Sequence, residues 1–229
     1  MIISVIVPAL NEAGCIRDLV RAVLAQPVSE VIVVDNGSND GTGEAALAAG
    51  ARVVREARRG YGYACLAGVL AAPEADVLVF LDGDYSFLPD QLPRLLQPIQ
   101  DGRAELVLGS RSMGQIEAGS MPAPQRFGNW LVSRLMRWLY HLPVSDLGPY
   151  RAVRRELLAA LDMHEMTYGW PTEMIVKAAR RHARILEVPV SYQSRRAGRS
   201  KVSGTVRGTV LAGYAMLGTT FRYLSWSPR

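Results

Sequence analysis

Residues 77–84 read VLVFLDGD. The unbroken apolar run at 77–81 suits a strand covered on both faces, because polar residues need alternate only where one face meets water. It ends on two carboxylates, Asp82 and Asp84, separated by Gly83. The same pattern recurs at ISVIVP (3–8), EVIVVD (30–35), ARVVRE (51–56) and LVLGS (106–110), each bounded by Gly, Pro or an acid. Between them lie stretches of helical period, among them EAGCIRDLVRAVLAQ (12–26) and RGYGYACLAGVLAA (59–72). The order β-α-β-α-β predicts an α/β protein with a doubly wound, mostly parallel sheet across residues 1 to 110. In that architecture ligands sit beyond the carboxyl ends of the strands.

Three of those ends carry acids: Glu12 after the first, Asp35 at the tip of the second, and Asp82 with Asp84 after the fourth. Two carboxylates at i and i+2 around a glycine suit one hard divalent cation, Mg²⁺ or Mn²⁺, which keeps positions open for substrate phosphates. They equally suit a solvated turn or the cap of a following helix. Asp35 suits the amide edge of a base, or the turn chemistry of Asp-Asn-Gly-Ser. Glu12 suits a ribose or the N-terminus of a helix, and Asp40 with Thr42 suits a helix cap.

The chain has 229 residues, 49% apolar and 21% charged, which is ordinary for a packed core. Its formal charge of +5 favours anionic partners. All 26 basic residues except Lys177 and Lys201 are arginine, scattered and without a groove-reading or stacking motif, which argues against nucleic acid. Cys15 and Cys65 form neither a disulfide framework nor a metal pattern, so a reducing cytoplasm is expected. The N-terminus is a strand and not a signal peptide. The uncharged stretch 208–221, GTVLAGYAMLGTTF, falls short of the roughly 20 residues that a spanning helix needs.

After Arg111 the texture shifts to longer helices and more arginine, through a linker at 113–124. SRRAGRSK (194–201) places Arg195, Arg196, Arg199 and Lys201 around Gly198, suited to a loop that closes on phosphate or to a solvated basic loop. On a helical wheel of 126–142, Phe127, Leu131, Leu135, Trp138, Leu139 and Leu142 share one arc, beside Arg126, Arg134, Arg137 and His141. Such a helix lies on an anionic membrane surface, or faces a core with a solvated basic side. His164 and His182 show no ligand spacing. The Asp-Gly-Asp also resembles a haloacid-dehalogenase nucleophile, but it falls on the wrong strand and no Asp-Asp pair follows. A nicotinamide enzyme lacks its Gly-x-Gly-x-x-Gly turn, because ALNEAG follows the first strand. A non-catalytic nucleotide-binding protein on this scaffold is a further alternative.

VIVPALNE (5–12), VVDNGSNDGT (33–42) and FLDGD (80–84), in register at three strand ends, resemble the family 2 glycosyltransferases of the A-type nucleotide-diphospho-sugar fold. LVLGSR, PQRFGNWLVSRL, DLGPYRA, YGWPTEM, LEVPVSY and SRRAGRSKVSG extend the resemblance to the dolichyl-phosphate mannose and glucose synthases. It implies one glycosyltransferase domain over 1–229. Residues 1–111 would form its nucleotide-sugar half, and 112–229 its acceptor half, with a basic loop and a C-terminal amphipathic helix. The implied reaction is inverting transfer of glucose or mannose from UDP-glucose or GDP-mannose to a polyprenyl or dolichyl phosphate. The alternative is transfer to a hydroxyl of a soluble sugar or glycolipid, which needs a base.

The resemblance puts Mg²⁺ or Mn²⁺ on Asp82 and Asp84. It implies nucleotide-sugar binding by Pro8, Ala9, Asn11, Glu12, Asp35, Asp82, Gly83, Asp84, Arg196 and Lys201, with Ser200 beside them. Arg111, Arg126, Ser133 and Tyr150 would meet the acceptor, and Asp84, Asp146 and Lys201 would be catalytic. The enzyme would work in the cytoplasm, peripheral on the cytoplasmic face of a membrane. The sequence departs from these relatives at Leu10, where many have a Tyr, at Asn36, where mannose synthases have a second Asp, and at DLGPYRA, which replaces Asp-x-x-Ser-Gly-Phe-Arg.

Overall fold

The five apolar runs form strands β1 (Ile3–Ala9), β2 (Glu30–Asp35), β3 (Arg52–Arg55), β4 (Val77–Phe80) and β5 (Leu106–Ser110). The structure is a computed structural model that describes residues 1–198 and 206–227. Two further strands, β6 (Arg151–Arg154) and β7 (Ile185–Pro189), complete one sheet of order β3-β2-β1-β4-β6-β5-β7. Only β6 runs antiparallel, wedged between β4 and β5. Its sequence, RAVR, has a charge at each end and too few apolar residues to announce a central strand. It is accommodated because the buried Arg151 guanidinium donates to the carbonyls of Gly148 and Pro171.

Successive strand residues alternate between two cores. Val5, Val7, Val31 and Val33 face helices α1 (Ile16–Leu24), α2 (Thr42–Ala48) and α4 (Leu92–Gln100). Ile6, Ile32 and Val34 face α3 (Tyr61–Ala71), α5 (Ala123–Tyr140), α6 (Arg155–Leu161), α7 (Trp170–Arg180) and α8 (Val206–Arg222). Along β1, β2, β4 and β5 both sheet faces are therefore dry, which is why these strands read as apolar runs, whereas the edge strands β3 and β7 are half-exposed. Each fully buried aliphatic side chain contributes about 1.5–3 kcal/mol to that packing.

Two details place the walls of the site. The start of α3 presses against residues 165 and 166: a Cβ on Gly60 would meet the Met166 carbonyl oxygen at 2.4 Å, and one on Gly62 the Glu165 carbonyl oxygen at 2.4 Å. Behind α7, a buried ion pair joins Lys177 Nζ to Glu173 Oε1 at 2.7 Å, and the Tyr223 hydroxyl donates to the same oxygen at 2.7 Å. Lys177 also lies 4.6 Å from the Tyr223 ring centroid and 5.3 Å from that of Trp226, so the end of α8 is clamped onto α7.

Helix α5 corrects the wheel drawn from sequence. Its buried face is Asn129, Val132, Ser133 and Met136, while Phe127 and Trp138 stand in solvent at 62% and 74% exposure. The leucines of the expected apolar arc are half-buried at the flank. The wheel failed because α8 packs beside α5, and that neighbour is invisible to a local pattern.

A candidate active site at the strand ends

Because β1, β2 and β4 run parallel, their carboxyl ends open on one edge of the sheet, and a cleft of about 500 Å³ lies there. Pro8, Ala9, Leu10 and Glu12 line it from β1, and Asp82, Gly83 and Asp84 from the turn after β4. Arg111 enters from the end of β5, and Asn36 from the end of β2. The second half of the chain adds Gln125, Thr167, Tyr168, Tyr192, Arg195 and, from α8, Ala212 and Met216.

The acidic turn is tightly built. The Ser86 amide donates to Asp84 Oδ1 at 3.0 Å, and Tyr85 takes the left-handed conformation at φ 61°. Burial, and then the neighbouring Asp84 charge, push the Asp82 carboxyl up to about 7. Two crowded carboxylates of this kind are the donor set for a hard cation that takes its remaining ligands from phosphates and water. Among the described residues no cluster of three or more His, Cys, Asp or Glu forms an all-protein metal cage. As a pair of hard oxygen donors, Asp82 and Asp84 fit the chemistry of Mg²⁺ or Mn²⁺. Cys15 Sγ lies 3.4 Å from the Gly83 carbonyl oxygen, and burial followed by the Glu12 and Asp84 charges pushes its thiol up to about 12. It serves as a neutral strut under the turn.

Arg195 faces this turn. Its Nη2 donates to Glu12 Oε1 at 2.6 Å and Oε2 at 2.8 Å, and stands 3.8 Å from Asp84 Oδ2. One guanidinium thus ties the ends of β1 and β4. The expectation had been Arg196, and the structure places it elsewhere: its guanidinium lies 3.5 Å from the Tyr85 ring centroid, outside the cleft. Adjacent residues of an extended segment point to opposite sides, so only one of the doublet faces inward. Lys201, Ser200 and Arg199 lie outside the described residues.

Several other expected residues are placed off the cleft. Asp146 is buried behind Arg111 and chelates it, so it presents no free base to the site. Burial acts to raise that carboxyl, but the Arg111 charge outweighs it and holds the group below its usual range. Ser133 spends its hydroxyl on the Asn129 carbonyl at 2.7 Å, inside α5. Tyr150 is fully buried against Phe87. Arg126 is exposed on the outer side of α5. Asp35 accepts the Ser38 amide at 2.7 Å in its own turn, leaving Asn36 on the wall. Asn11 braces the neighbouring loop: its amide donates to Ser38 Oγ, and its Oδ1 accepts the Asn39 amide, each at 3.0 Å. Asp40 accepts the Thr42 amide at 3.1 Å, but the N-cap of α2 is Gly41, which has no side chain to cap with; the Thr42 hydroxyl accepts the Glu12 amide at 2.8 Å.

Arg59, Tyr61, Gln125, Thr167, Tyr168 and Tyr192 line the cleft without having been singled out as site residues. Gln125, Tyr168 and Tyr192 do fall in the quoted stretches PQRFGNWLVSRL, YGWPTEM and LEVPVSY, and Arg59 with Gly60 at the start of α3 was a further signal, because a glycine at a helix start next to a cation suits an anion.

A profile described as glycosyl transferase family 2 matches residues 4–162. An uncharacterized glycosyltransferase of Mycobacterium tuberculosis is 39% identical, over 92% of this chain and 94% of its own length. The undecaprenyl-phosphate mannosyltransferase of Micrococcus luteus is 34% identical, over 97% of this chain and 96% of its own. Among solved structures, glucosyl-3-phosphoglycerate synthase from M. tuberculosis, in complex with Mn²⁺, UDP and phosphoglyceric acid, superposes with a TM-score of 0.80. It is 26% identical and covers 100% of this chain and 80% of that one.

Proposed function

This chain belongs to glycosyl transferase family 2, and from that premise we propose that it moves glucose or mannose from a UDP- or GDP-sugar to a polyprenyl phosphate, with inversion. The observation that carries the acceptor reading is the charge of the cleft's inner walls. The lining residues from the second half of the chain include no carboxylate, and neither do the undescribed residues 199–205 and 228–229 in sequence. Beside them stands Arg111, held by Asp146 and stacked 5.2 Å from the Tyr192 ring centroid. An ionised phosphate is already a nucleophile and needs no base, whereas a sugar hydroxyl does.

Asp82 and Asp84 would hold Mg²⁺ or Mn²⁺, and the bound cation would neutralise charge that develops on the departing diphosphate. Arg195 adds a guanidinium on the same side, able to exchange its contact with Asp84 for a phosphate oxygen. Arg111 orients the attacking phosphate, and Pro8, Leu10 and Asn36 wall the nucleoside. Buried, free Cys15 and Cys65 support a reducing compartment, hence the cytoplasmic side of the membrane that carries the acceptor.

The test is nucleotide release from UDP-glucose and GDP-mannose with Mn²⁺, offered undecaprenyl phosphate, short prenyl phosphates and sugar hydroxyls in parallel. Turnover with prenyl phosphates, abolished by chelation, is the expected result. Turnover confined to hydroxyl acceptors, with a rate that rises through a base titration, would overturn the acceptor assignment.

A further inference from the structure

Two helices carry exposed apolar stripes that the described residues leave uncovered. On α5 the stripe is Phe127, Trp130 and Trp138, at 62%, 54% and 74% exposure. On α8 it is Val210, Tyr214 and Phe221, at 63%, 78% and 49%. In each helix these positions recur at spacings of three, four, seven or eight, so they share one face opposite the buried one. The helices are neighbours, joined by the Tyr140 hydroxyl donating to the Thr220 carbonyl at 2.5 Å.

Charge selects the occupant. The α5 stripe also holds the exposed residues Arg134 and Arg137, and the Arg134 guanidinium sits 5.8 Å from the Trp130 ring centroid. No Asp or Glu occurs anywhere from 118 to 145, nor after Glu187. A second protein surface would ordinarily offer both signs of charge, whereas an anionic lipid surface asks for arginine interleaved with aromatic residues and no acid. At about 27 Å, α5 is long enough to lie along such a surface. Among the described residues no helix is long and apolar enough to cross a membrane, so contact would be lateral.

We propose that the exposed stripes of α5 and α8 dock this protein in the interfacial plane of an anionic lipid bilayer. The same two helices line the cleft through Gln125, Ala212 and Met216 on their inner sides, so the docked face brings lipid to the mouth of the site. That second part rests on the lipid-phosphate acceptor reading; the docking itself does not.

The experiment is cosedimentation of the full chain with vesicles free of donor and acceptor, made of phosphatidylcholine alone or mixed with phosphatidylglycerol. Trp130→Ala/Trp138→Ala and Arg134→Glu/Arg137→Glu are run beside it, with melting temperature and nucleotide affinity as checks on folding. Binding to the mixed vesicles only, at about 0.1 M salt, weakened at least about tenfold in both variants, is expected. No binding, or binding that both well-folded variants retain, overturns the proposal. So does a solution dimer that Trp138→Ala dissolves without any lipid affinity in the parent. Turnover on a short prenyl phosphate without vesicle binding would remove the docking surface and leave the function standing; vesicle binding without prenyl-phosphate turnover would do the reverse.

Discussion

The Asp146 carboxylate clasps the Arg111 guanidinium through two parallel hydrogen bonds, Nε to Oδ2 at 2.8 Å and Nη2 to Oδ1 at 2.6 Å. The same Oδ2 accepts the Arg111 amide at 2.6 Å. An arginine at a strand end is thereby held with one side toward the cleft, and both oxygens of the acid that holds it are engaged by Arg111.

Replacing Asp146 by Asn leaves a buried guanidinium without its counter-charge and should destabilise the fold by about 3 kcal/mol, read by urea unfolding. The sign of the pH effect follows from the lowered folded-state value. The contribution is present above the ordinary carboxylate value of 3.8 and is lost as pH falls through the folded value. Activity in the variant should drop with the pH–rate profile unchanged in shape, whereas loss of a low-pH limb would restore Asp146 as a general base.

Asp82 and Asp84 crowd two negative charges into one turn. Asp82→Asn should therefore raise the melting temperature of the metal-free protein while lowering turnover at least about a hundredfold. Gain of stability together with loss of function marks a site built for a cation. A variant less stable than the parent in chelator would contradict it.

Arg195 and Arg196 separate in a donor titration. Arg195→Ala removes charged hydrogen bonds of about 1.5–3 kcal/mol and should raise the donor KM by about tenfold to a hundredfold. Arg196→Ala loses its contact with the Tyr85 ring and a 4.0 Å surface ion pair with Asp18, neither of them in the cleft, and should leave KM within a few-fold. Equal effects would show that the segment turns over when substrate binds.

Gly62→Ala inverts the usual helix rule. Ala normally gains up to about 1 kcal/mol over Gly in a helix interior. Here its Cβ would meet the Met166 Cα at 2.6 Å as well as the Glu165 carbonyl, so a loss of about 1–3 kcal/mol is expected by thermal unfolding. Donor and acceptor affinities should both suffer, because Tyr61 and Thr167 line the cleft on either side of that contact.

Cys15 and Cys65 are both buried, and burial raises both thiols above their ordinary value. A thiol reagent at pH 8 should label neither in the folded protein and both in denaturant. Fast labelling of the native chain would mean that the turn beneath Gly83 opens readily.

Much of the fold was legible because the runs that form β1, β2, β4 and β5 are apolar enough to demand burial on both faces, while β3 follows as a half-exposed edge strand. The acids at their tips were legible for the same reason, since a strand's end is set by where its apolar run stops. The four-residue β6 was not, because its place between β4 and β5 depends on partners up to 77 residues away in sequence. On α5, the sequence determined a helix that mixes arginine with aromatics, but only the packing of α8 decided that Phe127 and Trp138 would face out and Ser133 in. Likewise SRRAGR announced a basic segment at the site, and the tertiary structure alone chose Arg195 over Arg196. Periodicity and charge are local properties of a chain, so they determine which elements form and where their ends lie. The direction in which a given side chain points depends on what comes to rest beside it, and that is settled only when distant segments pack.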